Sequence, residues 1–253
     1  MLKIQRHSEI LKYLESHSVL KINDIAAVLG CSEETVRKDL IELEHRDELT
    51  RTRGGAYLKN AFEKGIGNDI KQNLLVDEKK YIAGLAFKHI LAKKIIVLDS
   101  STTCVELAKY IVTKDIYVSI ITNSLSIATI CSASDKINLI LIGGNYNKKT
   151  HSFYGYSALE QLKLYGADLC FLSFTSIHQV RGLGDNSLDG FYFRKACLDI
   201  AKTKILVMDH TKFNDDTAIV YGPIGKLDIV ITDKKLNGEW LEFFNLADVA
   251  VEY

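Results

Sequence analysis

The chain has 253 residues, 47% hydrophobic and 25% charged, enough for one large core or two modest ones. Its 32 basic and 32 acidic residues cancel to a formal charge of zero, so nothing global demands nucleic acid, and any such surface must come from local asymmetry. The cysteines at 31, 104, 131, 170 and 197 form no CxxC pair, and no apolar run approaches the ~20 residues of a membrane helix; both predict a soluble cytoplasmic protein without disulfide, metal site, cofactor or membrane partner.

Ile4, Ile10, Leu11, Tyr13 and Leu14 predict a first amphipathic helix. Asn23 or Asp24 opens a second, carrying Ile25, Ala26 and Leu29 and closed by Gly30. Ser32 caps a third, with Glu33 and Glu34 in its first turn where the helix dipole favours negative charge. Val36, Leu40 and Leu43 recur at helical spacing and face a small core, which leaves Glu34, Thr35 and Lys38 outward with Arg37 on the flank. Arg46, Arg51, Arg53 and Lys59 then surround a Gly54-Gly55 turn within a hairpin from Glu48 to Tyr57. Two helices joined by a tight turn, the second polar outward and followed by a basic hairpin, match a winged helix-turn-helix that reads a major groove. Thr35, Arg37, Lys38, Arg51, Arg53, Gly54 and Gly55 are its candidate DNA-contact residues. A solvated helix of an ordinary helical subdomain is the alternative for the third helix alone. The first sixty residues hold ten basic and ten acidic side chains, so this surface must act locally, within a screening length of roughly 8 Å.

From Tyr57 to Val76 no long period holds, and Gly65 to Asn68 breaks any helix. The reading is therefore a reader domain over 1–58, a connection over 59–76, and a second domain over 77–253. The last opens with a helix over Asp77–Leu91, on which His89 is read as a packing residue. Six apolar runs follow: Ile95–Leu98, Ile116–Ile121, Ile137–Ile142, Leu169–Leu172, Ile205–Met208 and Ile229–Ile231. Helical stretches over Thr103–Val112, Ser124–Ser132, Gly155–Tyr165 and Tyr192–Thr203 separate most of them. This alternation predicts an α/β domain with a mainly parallel sheet covered on both faces.

Ligands of such sheets bind at the carboxyl ends of the strands. There the runs are followed by Asp99 to Thr103, by Thr122-Asn123-Ser124, by Gly143-Gly144, by Ser173 to Gly184, by Asp209 to Phe213 and by Thr232-Asp233. Hydroxyls and helix N-termini suit an anion, Asp99 suits sugar hydroxyls, and Lys212 is the obvious cation. A phosphorylated polyol fits this set; helix capping is the competing use of the same hydroxyls.

Taken together these motifs resemble the DeoR family of bacterial sugar-metabolism regulators. Thr35-Val36-Arg37-Lys38-Asp39-Leu40 and Arg51 to Ala56 are similar to the family's T-I/V-R-R-D-L helix and R-x-H-G-G-A wing. Asp99 to Thr103 is similar to its D-S/T-G-T-T loop, and Thr122 to Ser124, Gly143-Gly144, Ser152 with Gly155, Asp209 to Phe213 and Thr232-Asp233 match later motifs. The resemblance implies a winged reader ahead of a sheet domain like ribose-5-phosphate isomerase, and a repressor responding to a phosphorylated sugar. It implies double-stranded operator DNA as partner and Ser101, Thr102, Thr103, Asn123, Gly144 and Lys212 as effector contacts, to which the chemistry of Asp99 adds a seventh candidate. A reader of this size covers one half-site, so a homo-oligomer, dimer or tetramer, is expected. Four positions depart: Lys38 for arginine, Arg53 for histidine, Ser101 for glycine, and Gly190 for an acid that Asp189 could replace. Phe191 to Phe193 beside it are read as core or subunit interface. The competing function is a phosphosugar isomerase with a regulatory appendage, for which Asp99, Asp185, Asp209 and Asp233 are possible bases without an evident partner.

Overall fold

A computed structural model describes the chain except for residues 18, 53, 59–66, 214–216, 218, 223 and 225 and the side chain of residue 52. It falls into two compact units, Met1–Ile66 and Gly67–Tyr253.

The first unit runs α1 (Lys3–His17), β1 (Val19–Lys21), α2 (Ile22–Leu29), α3 (Glu33–His45), β2 (Thr50–Thr52) and β3 (Gly55–Tyr57). Ile10 and Leu14, Ile25 and Leu29, and Val36, Leu40 and Leu43 bring the three helices onto one core. Ile4, expected on the buried stripe of α1, is 84% exposed, and His7 takes the inward position one turn above Ile10. The second helix starts at Ile22 rather than Asn23 or Asp24 and lacks a side-chain cap. Its first N–H is instead satisfied by the Gly54 carbonyl at 2.9 Å, so the hairpin does the work of a cap. Gly30 closes α2 at φ 62° as expected. β1, too short to be seen in the sequence, pairs antiparallel with β3 and completes a sheet of order β1-β3-β2.

The second unit begins with α4 (Asn68–Lys71) and α5 (Val76–Phe87), then β4 (Ile95–Leu98), α6 (Thr102–Val112), β5 (Val118–Thr122), α7 (Leu125–Cys131) and β6 (Ile137–Leu141). A hairpin of β7 (Asn145–Asn147) and β8 (Ser152–Tyr154) leads to α8 (Tyr156–Leu162) and β9 (Ala167–Leu172). Next come β10 (Ser176–His178), β11 (Gly182–Asp185), α9 (Leu188–Ile200) and β12 (Ala201–Val207). A 3-10 turn over His210–Lys212, β13 (Ile219–Val220), β14 (Ile229–Ile231), α10 (Gly238–Leu246) and β15 (Ala250–Glu252) complete it. Seven strands make one sheet of order β15-β14-β12-β9-β4-β5-β6, every neighbouring pair parallel.

Period-two geometry explains the unbroken apolar runs. Ile96 and Leu98 face the core under α5, α6 and α7, while Val97 between them faces the core under α8, α9 and α10. Cys104, Cys131, Cys170 and Cys197 lie inside these layers and Cys31 is partly exposed; all five are free thiols. The sequence reading missed β15, the hairpin β7-β8 and the small sheet β10-β11-β13. α5 ends at Phe87, short of Leu91, and α9 starts at Leu188 because Ser187 caps it by accepting from Gly190 N–H. Of the expected connection, residues 59–66 lie outside the described residues and residues 67–76 belong to the second unit.

Candidate functional site

In the first unit, Ser32 Oγ accepts from Thr35 N–H at 3.1 Å and sits 2.8 Å from Thr35 Oγ1, so the Thr35 hydroxyl belongs to the cap that fixes the start of α3. Arg37 and Lys38 project from the exposed side with Glu33 and Glu34 one turn back, at 3.5 and 3.8 Å. Arg51 donates to Glu44 from both its backbone N–H and its Nε, at 2.8 and 2.7 Å. Burial would raise the Glu44 carboxyl, but the Arg51 hydrogen bonds hold it below the ordinary glutamate value. α3 and the hairpin thus wall a groove containing Glu34, Arg37, Lys38, Ile41 and Arg51. Gly54 is exposed, and Gly55 admits no side chain: a Cβ there would lie 1.9 Å from the Leu20 carbonyl oxygen. Arg53 lies outside the described residues.

Asp39 is in the sequence motif, but its role is visible only in three dimensions. Buried to 2%, it accepts from Arg6 Nε and Nη2 at 2.7 and 2.9 Å and lies 3.1 Å from His7 Nε2, tying α1 to α3.

In the second unit the order in which strands are added reverses between β4 and β9, the strands themselves staying parallel. At such a switch point open α/β sheets have their ligand crevice, at the carboxyl ends of the strands. Asp99 after β4 and Ser173 after β9 meet there: Asp99 Oδ2 accepts from Ser173 N–H at 3.0 Å and from Arg194 Nε at 2.7 Å, and its Oδ1 accepts from Ser101 N–H at 2.9 Å. Burial would raise this carboxyl, but the Arg194 charge and these hydrogen bonds hold it below the ordinary value. Arg194 also pairs with Asp185. The acids that meet this arginine are therefore Asp99 and Asp185, not Asp189, and Gly190 leaves the room: a Cβ there would come within 2.7 Å of Arg194 Nη1.

Ser101 caps α6 by accepting from Cys104 N–H at 3.2 Å, so its departure from glycine closes one N–H of the expected anion loop. Behind it, Thr103 is 1% exposed and its Oγ1 has no hydrogen-bond partner among the described residues. Asn123 donates from Nδ2 to the Phe153 carbonyl at 2.9 Å, which fixes the orientation of the amide and leaves Oδ1 likewise without a partner. Buried polar atoms in this state are uncommon and mark places where a ligand or water completes the bonding. Thr102 is buried beside them. Gly144 is exposed and its role is steric, since a Cβ would lie 2.4 Å from the Tyr154 carbonyl oxygen. Lys212 Nζ donates to Ser173 Oγ at 2.9 Å and stands 3.8 Å from Asp209 Oδ2.

Two further cations escaped the sequence reading. α4 is pinned at the crevice by Asn68, whose Nδ2 donates to the Ser100 and Thr150 carbonyls at 2.8 and 2.9 Å. Lys71 on α4 feels Lys212 and Arg194; burial first, then those charges, push its ammonium down to about 8. Lys79 of α5, 3% exposed, donates to the Lys71 and Leu74 carbonyls at 2.5 and 2.7 Å. Burial pushes it down to about 7 against the opposing charge of Asp209. A signal for Lys79 existed: Lys79, Ile82, Ala83 and Ala86 are spaced as one buried stripe. None existed for Lys71, on a helix of four residues.

A groove between a capped helix and a basic hairpin, and a polar crevice at the switch point of a parallel sheet, define a ligand-responsive DNA-binding regulator. The chain belongs to the DeoR family: the DeoR-like helix-turn-helix domain matches residues 6–61 and the DeoR C terminal sensor domain residues 75–234. It is 30% identical to the HTH-type transcriptional regulator IolR of Bacillus subtilis over 99% of each chain. With the lactose phosphotransferase system repressor of Lactococcus lactis it shares 32% over 97% of this chain and 96% of that one. The HTH-type transcriptional repressor GlcR of Bacillus subtilis is 30% identical over 94% and 91%. All three relatives carry the names of transcription regulators or repressors. A solved D-ribose-5-phosphate isomerase in complex with phospho-erythronic acid matches 55% of each chain at 18% identity and a TM-score of 0.42. Among the described residues no helix is long and apolar enough to cross a membrane, and no group of acids, histidines and cysteines is arranged to hold a metal ion.

Proposed function

We propose that this protein is a repressor of sugar-metabolism genes that binds a phosphorylated sugar at the switch-point crevice and changes its operator affinity in response. The observation that carries this reading is the pair of buried, unpartnered oxygens Thr103 Oγ1 and Asn123 Oδ1 just past the carboxyl ends of β4 and β5; the Lys212 charge, felt by Lys71 and anchored on Ser173 after β9, supports it. Burial and the Lys212 charge both disfavour the Lys71 ammonium, and a bound anion would offset both and raise Lys71 back toward its ordinary value. Thr103 and Asn123 serve the hydroxyls. Asp99, with its oxygens already engaged, orients Ser101, Ser173 and Arg194 rather than touching the sugar, and Gly144 shapes the neighbouring turn. That relatives carry the names of repressors, one of them of a lactose phosphotransferase system, supports the same reading.

Residues 1–58 act as the reader, joined through 59–66 to the sensor, in a cytoplasmic homodimer or tetramer whose readers meet paired half-sites two at a time. The effector favours one of two DNA-affinity states, and a coupling of ~1–3 kcal/mol shifts operator affinity roughly 5- to 150-fold. Lys212→Ala tests the site. Gel shifts should show unchanged operator binding by the variant and a lost response to a panel of sugar phosphates. A variant that still responds like the parent places the effector elsewhere.

A further inference from the structure

The groove of the DNA-reading unit holds an acid where a surface built for phosphate would hold none. Glu34, in the first turn of α3, is 69% exposed at its side chain and stands on the groove wall with Lys38 and Ile41, across from Arg51. The contact the structure gives it is the Lys38 ammonium at 3.8 Å, an ion pair too long for a hydrogen bond. Arg6 and His7 explain the one buried acid of this helix, Asp39, while Lys3 explains Glu42 and Arg51 explains Glu44. A favourable place for negative charge in the first turn explains Glu33 and Glu34 equally, but only Glu34 lines the groove.

A carboxylate brought into a major groove meets acceptors nearly everywhere. Phosphate oxygens, guanine O6 and N7, adenine N7 and thymine O4 all repel it, and the base edges offer only two donors, cytosine N4 and adenine N6. Adenine carries its N7 acceptor next to N6, against the second carboxylate oxygen. Cytosine has no acceptor beside N4 on its own edge; the acceptors of that pair belong to guanine, and they suit an ammonium. Glu34 and Lys38, one helical turn apart, therefore present the sign pattern that complements one C·G pair.

We propose that Glu34 is a specificity-determining residue of the reading helix, accepting from N4 of a cytosine in each half-site while Lys38 donates to O6 or N7 of the paired guanine. The inference rests on the DNA-binding reading of this unit and deepens it. It also gives the lysine at position 38, where the family pattern has arginine, a defined partner.

The test is selection from a random double-stranded library with the full-length chain, its Glu34→Gln variant and its Glu34→Ala variant, at one fixed salt concentration. The parent enriches a half-site motif with an invariant C·G pair. Glutamine pairs with adenine N6 and N7, so Glu34→Gln enriches A·T at that position and leaves the remainder of the motif unchanged. Glu34→Ala enriches no base there. In titrations with matched duplexes the parent prefers C·G about 5- to 150-fold and Glu34→Gln reverses the order. The inference is overturned if Glu34→Gln selects the parent motif, including the case in which it binds every duplex more tightly, because Glu34 then only tempers the positive surface. A parent chain that enriches no sequence at all overturns the DNA-reading assignment itself, and the inference with it.

Discussion

Asp39 and Asp99 are two buried carboxylates solved in the same way, each by an arginine more than thirty positions away in the chain: Arg6 for the first and Arg194 for the second. For Asp39, burial alone would raise the carboxyl, but the hydrogen bonds and charge of Arg6, with those of His7, hold it below its ordinary value of 3.8. A carboxyl lowered in the folded state adds stability that is fully present above the unfolded value and is lost as pH falls through the folded one. Asp39→Asn should therefore destabilise the first unit by about 1–3 kcal/mol at neutral pH, and the gap to the parent should close as pH falls below about 4. Denaturant titrations at several pH values read this directly, and a gap that stays constant down to pH 3 would contradict it. The sequence displays Asp39 within a recognisable motif but cannot show its use, because no local pattern links it to Arg6 and His7. Arg194 is hidden for the same reason.

At the scale of elements, legibility followed length and periodicity. The three helices of the reader, most strands of the sheet and the polar loops after those strands could be read because each has a strong period or a cap. β1, β15 and α4 could not: three or four residues carry no period, and their placement is decided by distant partners such as Gly55, β14 and Asn68. The loops at the strand ends, with Lys212 among them, are thus legible in the sequence, and α4, which carries Lys71, is not. The wing offers an element-level test. β1 lies against β3 so closely at Leu20 that Gly55→Ala must push the strands apart, at a cost of about 1–3 kcal/mol. Amide hydrogen exchange in β1 and β3 should accelerate, and operator binding should weaken, while exchange in the seven-stranded sheet stays as in the parent. Unchanged protection of β1 would mean the strand pairing tolerates the methyl group.

For the molecule as a whole, formal charge is zero, so long-range attraction to DNA is weak and affinity depends on the individual contacts. In the free protein Arg37, Lys38 and Arg51 each stand beside a glutamate, at 3.5, 3.8 and 2.7 Å. Exposed pairs of this kind contribute about 0–1 kcal/mol, little enough for DNA to take over the cation, a phosphate for Arg37 and Arg51 and a base edge for Lys38. Arg37→Ala should weaken binding to all duplexes about equally and reduce the slope of log affinity against log salt by roughly 1. A slope identical to the parent's would remove Arg37 from the phosphate contacts. This behaviour differs in kind from that predicted for Glu34, whose replacement changes which sequence is bound.

The distribution of thiols gives the molecule a practical property. Four cysteines lie in the sheet domain, buried, and burial pushes Cys131 and Cys170 up to about 12 and Cys104 and Cys197 well above the usual thiol range. Thiolate is the reactive form, so these four are chemically silent under native conditions. Cys31, partly exposed, sits immediately before the Ser32 cap of the reading helix. A maleimide dye applied to the unmodified chain should therefore attach at Cys31 alone, one residue before the cap of the reading helix, and report DNA docking optically without any engineered cysteine.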